Sequence, residues 1–352
     1  MKNFYCRCGA RLFFDNTQCL SCLRTLGVET AELRLLAFRD DKPPTGWRRC
    51  GNAAALGCNW LVRAAATTNV CRACELNTTP FIAEGECEAE RVQRGDVERA
   101  KRRLLYSLLA LGLPVLPRRK AGNLGLAFAL ERGSEGQPVL TGHNEGVITL
   151  NLAEADPAQR ENVRISLKER YRTLLGHFRH EVGHYYWYVL VQDRSPLADF
   201  RHLFGDERQD YAEALKQHYG ADSNSQPGDA FISNYAASHP WEDFAETFAH
   251  YLHMVDTVET AAEQGFTKVA AVGPGAKRRF ERLLDQWYEL SVSLNALNQS
   301  MGLYDAYPFA ISPTVAGKLR YVHDLVHSTR EALAPRWYAP WKAGQLAVAR
   351  SG

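Results

Sequence analysis

Apolar residues along this chain recur mostly at helical spacing. The densest run covers residues 174–190, led in by Tyr171, Leu174, Leu175 and Phe178 and free of proline. Spacings of three and four place such residues on one face of a helix. Upstream, Asp156 and Pro157 have the N-cap and first-turn chemistry of a helix start, so the chain reads as helical, with one break allowed, from there to residue 190. Residues 96–111 predict a helix with Leu104, Leu105, Leu108 and Leu111 on one face. Its other face carries Arg99, Lys101, Arg102 and Arg103 and is expected to be solvated. That helix stops near Gly112-Leu113-Pro114, and 117–122 reads as a connection. Pro240 starts a further helix with Phe244, Phe248, Tyr251 and Leu252 as its stripe. Two long amphipathic helices follow: 276–297, with Phe280, Leu283, Leu284, Trp287 and Leu290 inward, and 314–333, ending before Pro335. The aromatic loop 302–309 is expected in the core or as a wall of the substrate cleft, and 337–341 as a packed tail. Strands are expected at 124–131, 138–141 and 147–152, the last two joined by the hairpin loop 142–146, with His143 a polar loop residue.

Composition adds a second, different region. All nine cysteines lie between Cys6 and Cys87. Cys6, Cys8, Cys19 and Cys22 form one set of four, and Cys50, Cys58, Cys71 and Cys74 another. Each set has two arms separated by the reach that brings four thiolates around one tetrahedral ion. Phe13-Phe14 and Trp60-Leu61-Val62 suit ribbon strands between the arms, and Cys87 is left without a role. The chain start has no apolar leader, and no run approaches about eighteen apolar residues. Neither a signal nor a membrane contact is therefore expected, and a cytoplasmic, reducing setting favours two structural zinc ions over disulfides. Residues 1–95 hold thirteen Lys and Arg against ten Asp and Glu. Two tetrathiolate zinc centres of about −2 each would bring that module near −1, which argues against nucleic acid and for a module that docks a protein partner or positions substrate. The whole chain, at +2 and 45% hydrophobic, is globular without a general polyanion footprint.

The candidate chemistry sits in His180-Glu181-Val182-Gly183-His184. Histidines four apart share a helix face and can reach one metal ion, and the glutamate between them is placed as general base. Gly183 is expected to leave open the side facing the metal. A catalytic zinc takes three protein ligands. Metzincin spacing would put a glycine at 187 and a histidine at 190, but Trp187 and Leu190 stand there. The candidates lie in 238–253: Glu242 and Glu246, four apart on one face, and His250 and His253. One carboxylate would bind the ion and the other orient a histidine. His177 reads as a surface residue or a neighbour of the site, and His239 as a helix-start residue or a substrate contact.

At these residues the chain resembles the gluzincin metallopeptidases. The resemblance implies that Glu242 is the ligand and Glu246, one turn on, orients a histidine. Similarity to the lethal-factor-like branch implies that Tyr235, seven before the ligand, polarises the substrate carbonyl. Nearly the whole chain, through Tyr5-Cys6-Arg7-Cys8-Gly9, the motif and residues 241–253, is similar to a bacterial family of zinc-binding metallopeptidases with an N-terminal zinc ribbon. The expected fold is α+β: a double zinc ribbon over 1–95, a helix and linker over 96–120, and a mostly helical zincin-like domain with a small sheet over 121–352. In zinc proteases a strand in this order runs along the cleft and pairs with an extended peptide, so 147–152 is expected either in that role or as an ordinary buried strand. The expected activity is zinc-dependent hydrolysis of peptide bonds. The alternatives are a DNA-associated SprT-like protease with three histidine ligands, a non-catalytic zinc-ribbon adaptor and a non-peptide amidase.

Overall fold

The computed structural model describes residues 1–79, 86–133, 139, 141–166, 169–220, 228–267 and 278–337. Three antiparallel pairs build the N-terminal ribbons. β1 (Phe4–Tyr5) pairs with β2 (Arg11–Leu12), β3 (Thr25–Glu29) with β4 (Arg34–Phe38), and β5 (Trp47–Arg49) with β6 (Leu61–Arg63). Phe13 and Phe14 follow β2 instead of forming a strand. Phe14 turns inward, edge-on to Trp60 and Tyr106, and Phe13 faces solvent. The β3–β4 hairpin lies directly on β6. A Cβ at Gly27 would stand 2.5 Å from Leu61 Cδ2, so a larger residue there would force the Leu61 side chain to shift.

Helix α1 spans Glu88–Ala110, eight residues longer at its start than the apolar stripe predicted. Cys87 precedes it, its backbone amide donating to Glu90 Oε2 at 2.9 Å, half of a capping box. Gly95 inside the helix costs about 1 kcal/mol of propensity, too little to stop it. The expected solvated basic face is only half solvated. Arg99 pairs with Asp96 and Arg103 with Asp15 at the surface, but Lys101 and Arg102 are buried. The helix is covered on two sides, by the ribbons and by the helical domain, so its polar face has little solvent left. Lys101 Nζ meets Glu98 Oε2 at 2.8 Å and also Asn77. Arg102 points toward the second cysteine set; burial opposes its charge, and Cys58, Glu98, Cys71 and Cys74 favour it.

The sheet has three strands in the order β7 (Ala127–Glu131), β9 (Val147–Asn151), β8 (Gly142–Asn144). β9 runs parallel to β7 and antiparallel to β8. Glu145 and Gly146 alone make the β8–β9 turn, with φ of 43° and 84°, as a two-residue primed hairpin requires. Gly142–Asn144, expected in the loop, therefore form a strand carrying His143. The expected cleft strand is instead central, since hydrogen bonding on both sides leaves β9 no edge for a peptide. On the outer side of β7, Thr78 N donates to Phe128 O at 2.9 Å, so the ribbon end covers that edge. Among the described residues β8 remains the open edge. The strand expected at 138–141 lies partly outside them, as does the tail at 337–341.

Helix α2 (Pro157–Ser166) ends before Thr173, whose side chain caps α3 (Leu174–Leu190) by accepting from Gly176 N at 3.0 Å. Tyr171 thus lies ahead of α3, against His253 and Phe309. α4 (Leu197–Phe204) and α5 (Tyr211–Gly220) lead to α6 (Pro240–Glu263), which starts with Pro240 in its first turn. α7 (Arg278–Ser300) buries Phe280, Leu283, Trp287 and Leu290 as predicted. α8 (Pro313–Trp337) passes Pro335 where an end was expected; a proline near a helix terminus removes only one backbone hydrogen bond. Tyr307 of the aromatic loop is buried against His250 and Trp287, whereas Tyr304 is exposed. Buried residues form one continuous core from Phe4 to Val326. No described helix is long and apolar enough to cross a membrane.

Candidate metal centre

α3 and α6 lie side by side, and their contact sets the site. A Cβ on Gly183 would stand 2.9 Å from Ala245 Cα and 3.0 Å from its carbonyl oxygen. Gly183 therefore faces α6, not the metal as the sequence suggested; its missing side chain brings the two helices together. On the adjoining faces His180 Nε2 lies 3.0 Å from Glu242 Oε2, His184 Nε2 lies 3.2 Å from the same oxygen, and the two Nε2 atoms are 3.2 Å apart. Glu242 Oε2 is buried without a hydrogen-bond partner among the described residues. Two imidazole nitrogens and a carboxylate oxygen converging this way fit a divalent ion. Zinc bonds of about 2.05 Å at tetrahedral angles put neighbouring ligand atoms about 3.3 Å apart.

The surroundings differ for the two histidines. His180 Nδ1 is 2.7 Å from Glu246 Oε1, and Glu246 Oε2 accepts from Ser233 Oγ at 2.6 Å. The resemblance implies an orienting carboxylate at this position, and the contact sets which nitrogen of His180 points inward. Burial would raise Glu246, but His180 beside it holds it down to about 2. Burial likewise opposes the charge of Glu242, and the two imidazoles hold it well below the usual carboxylate range. His184 Nδ1 is buried with no such partner among the described residues. Ring packing places it instead: Trp241 lies edge-on at 5.4 Å, and His143 of β8 lies nearly parallel at 6.3 Å. Burial, with His184 and Arg118 nearby, lowers His143 to about 3, so this ring packs on its neighbour uncharged. Glu181 is buried, which raises its pKa above the ordinary carboxylate value. Tyr235 begins a short turn, Tyr235–Ser238, ahead of α6, and its ring centroid is 5.7 Å from that of His180.

The rival ligands lie elsewhere. His250 Nδ1 is 2.8 Å from the Tyr307 hydroxyl, and His253 packs on Trp287 and Tyr307. His177 Nδ1 lies against the carboxylate of Glu154. His239 caps α6, its Nδ1 accepting from Trp241 N at 3.1 Å. Three residues of the site carried no spacing signal: Ser233, His143 and Tyr211, whose hydroxyl donates to Glu242 Oε1 at 2.7 Å. Each comes from a separate segment brought in by the fold; only the β8–β9 turn chemistry could have drawn attention to His143.

Both cysteine sets close on themselves. Sγ–Sγ distances are 3.5 Å for Cys6–Cys22 and 3.7 Å for Cys8–Cys19. They are 3.8 Å for Cys50–Cys74, 3.6 Å for Cys58–Cys71 and 3.8 Å for Cys58–Cys74. Disulfides would need about 2.05 Å, whereas four sulfurs around one zinc sit about 3.8 Å apart. Cys87 is exposed and outside both sets.

Two family models match the chain. Residues 3–83 match a family described as a zinc-ribbon domain. Proteins of Mycobacterium bovis and of Mycobacterium tuberculosis strains CDC 1551 and H37Rv, each called uncharacterized, are 42% identical to this chain over 346 residues. The alignments cover 95% of this chain and 98% of theirs. No solved structure matches. Residues 90–325, which include α3, α6 and the convergent His180, His184 and Glu242, match the family described as "putative zinc-binding metallo-peptidase", and the chain belongs to that family.

Proposed function

We propose that this protein is a zinc-dependent peptidase of gluzincin type, its catalytic ion held by His180, His184 and Glu242. The observation that carries this reading is the meeting of their three donor atoms within 3.0–3.2 Å, with Glu246 behind His180. Bound zinc supplies Lewis acidity, acidifying water and polarising a carbonyl oxygen. Glu181 takes the water proton as general base and returns it to the leaving amine. A raised pKa suits that exchange, since it brings the carboxylate nearer the working pH. Tyr235 donates its hydroxyl hydrogen to the developing oxyanion. The open edge of β8, beside His184, pairs with the backbone of an extended peptide substrate. Two further zinc ions, held by Cys6, Cys8, Cys19 and Cys22 and by Cys50, Cys58, Cys71 and Cys74, brace the ribbons, which offer a surface to a protein partner. The DNA-associated alternative loses support: Lys101 and Arg102, half of its basic face, are inside, and His250 and His253 are committed to other contacts.

Zinc content per chain tests the assignment. Wild type should hold three ions and Glu242→Ala two, with Glu181→Gln keeping all three but losing proteolysis of unfolded protein. Equal zinc in wild type and Glu242→Ala would sink the ligand assignment.

A further inference from the structure

We propose that Tyr211 is a positioning residue for the third metal ligand, holding the outer oxygen of Glu242 so that a single oxygen faces the two histidines. The inference rests on the metal-site reading above and extends it to a residue on another element. Glu242 uses its two oxygens differently. Oε2 lies between the imidazoles, at 3.0 and 3.2 Å from their Nε2 atoms, and Oε1 accepts the Tyr211 hydroxyl at 2.7 Å. A carboxylate can take a zinc ion through one oxygen or both. With Oε1 engaged, one is left, and three single-atom protein ligands leave a fourth position for water or substrate.

Tyr211 is the first residue of α5, thirty-one positions before Glu242. Asp210 Oδ1 accepts from Glu213 N at 2.9 Å and fixes that first turn. The tyrosine ring is edge-on to His239, the cap of α6, at 5.2 Å, and to Trp241 at 6.3 Å. The hydroxyl is thus aimed by contacts at the start of the very helix that carries Glu242. The two phenols divide the work: Tyr211 acts on the ligand, and Tyr235, its ring centroid 5.7 Å from that of His180, acts on the substrate. α5 buries none of its own residues. The grip on the ion therefore depends on how a surface helix is seated over the site.

The test is a chelator titration of full-length Tyr211→Phe, Tyr235→Phe and Glu242→Ala, with thermal unfolding of each zinc-stripped chain. Tyr211→Phe keeps the ring contacts and removes only the hydroxyl. It should weaken retention of the third zinc about 10- to 100-fold, leave the two ribbon ions in place, and leave the Tm of the stripped chain at the wild-type value. Tyr235→Phe should hold the third zinc as wild type does. Unchanged zinc retention in Tyr211→Phe, where Glu242→Ala has lost the ion, overturns this inference alone. A fall in the Tm of stripped Tyr211→Phe in proportion to the lost affinity also overturns it, making Tyr211 a packing residue. Three zinc ions in Glu242→Ala would instead overturn the metal-site reading beneath it.

Discussion

Lys101 and Glu98 show what single residues carry here. Both side chains are fully buried and paired at 2.8 Å, and Asn77 from the ribbon end joins them. Burial would raise the pKa of Glu98, yet the charge and hydrogen bond of Lys101, with Asn77, lower it below the ordinary carboxylate value. Its folded pKa lies below its unfolded one. The stabilisation is therefore fully present above the unfolded value and is lost as pH falls through the folded one. Lys101→Met leaves a buried carboxylate without its cation and should cost about 3–5 kcal/mol at neutral pH. Urea unfolding measured from pH 7 down to about pH 2 should show this loss and a flatter acid arm, because Glu98 then binds its proton in the folded chain too. Adding Glu98→Leu to Lys101→Met should recover most of the stability; further loss in the double variant would show that the pair is not the unit.

Between elements, the decisive contact is α3 on α6. Gly183 meets the backbone at Ala245, which has no side-chain freedom with which to retreat. Gly183→Ala should therefore push the helices apart. It should destabilise the chain by about 1–3 kcal/mol despite alanine's better helix propensity, and weaken the third zinc without touching the cysteine sites. Denaturant unfolding with zinc counting checks both, and a stabilised variant with three tightly held ions would refute the close-packing role. The same approach sets the site geometry, since His180 and His184 ride on one helix and Glu242 and Glu246 on the other.

For the molecule as a whole, ribbon and helical domain share structure. Thr78 covers the outer edge of β7, Asn77 completes the Glu98–Lys101 cluster, and the Asn3 amide donates to Glu263 Oε2 at 2.9 Å. A fragment beginning at Glu86 would expose that strand edge and open the cluster to water. It should unfold at lower temperature and aggregate more readily than the full chain, as followed by near-ultraviolet circular dichroism and light scattering. A fragment as stable and monomeric as the full chain would mean that these contacts join two independent units.

The local chemistry was legible in the linear chain because each part of it is local. His180, Glu181 and His184 lie within one turn and a half of helix, Glu242 and Glu246 one turn apart, and the cysteines in short knuckles, so spacing alone aligned them. The α+β class and the long helices followed from periodicity for the same reason. Other decisions needed distant segments to meet. Which side of α3 Gly183 faces, whether Lys101 and Arg102 see water, which strand is the free edge, and that His143, Tyr211 and Ser233 reach the site all depend on what packs against what. Side-chain pattern reports a residue's own preference for burial. The partner across an interface is set by the fold, and here that partner turned half of a basic helix face inward, gave a glycine a packing role and supplied the hydroxyl that holds Glu242.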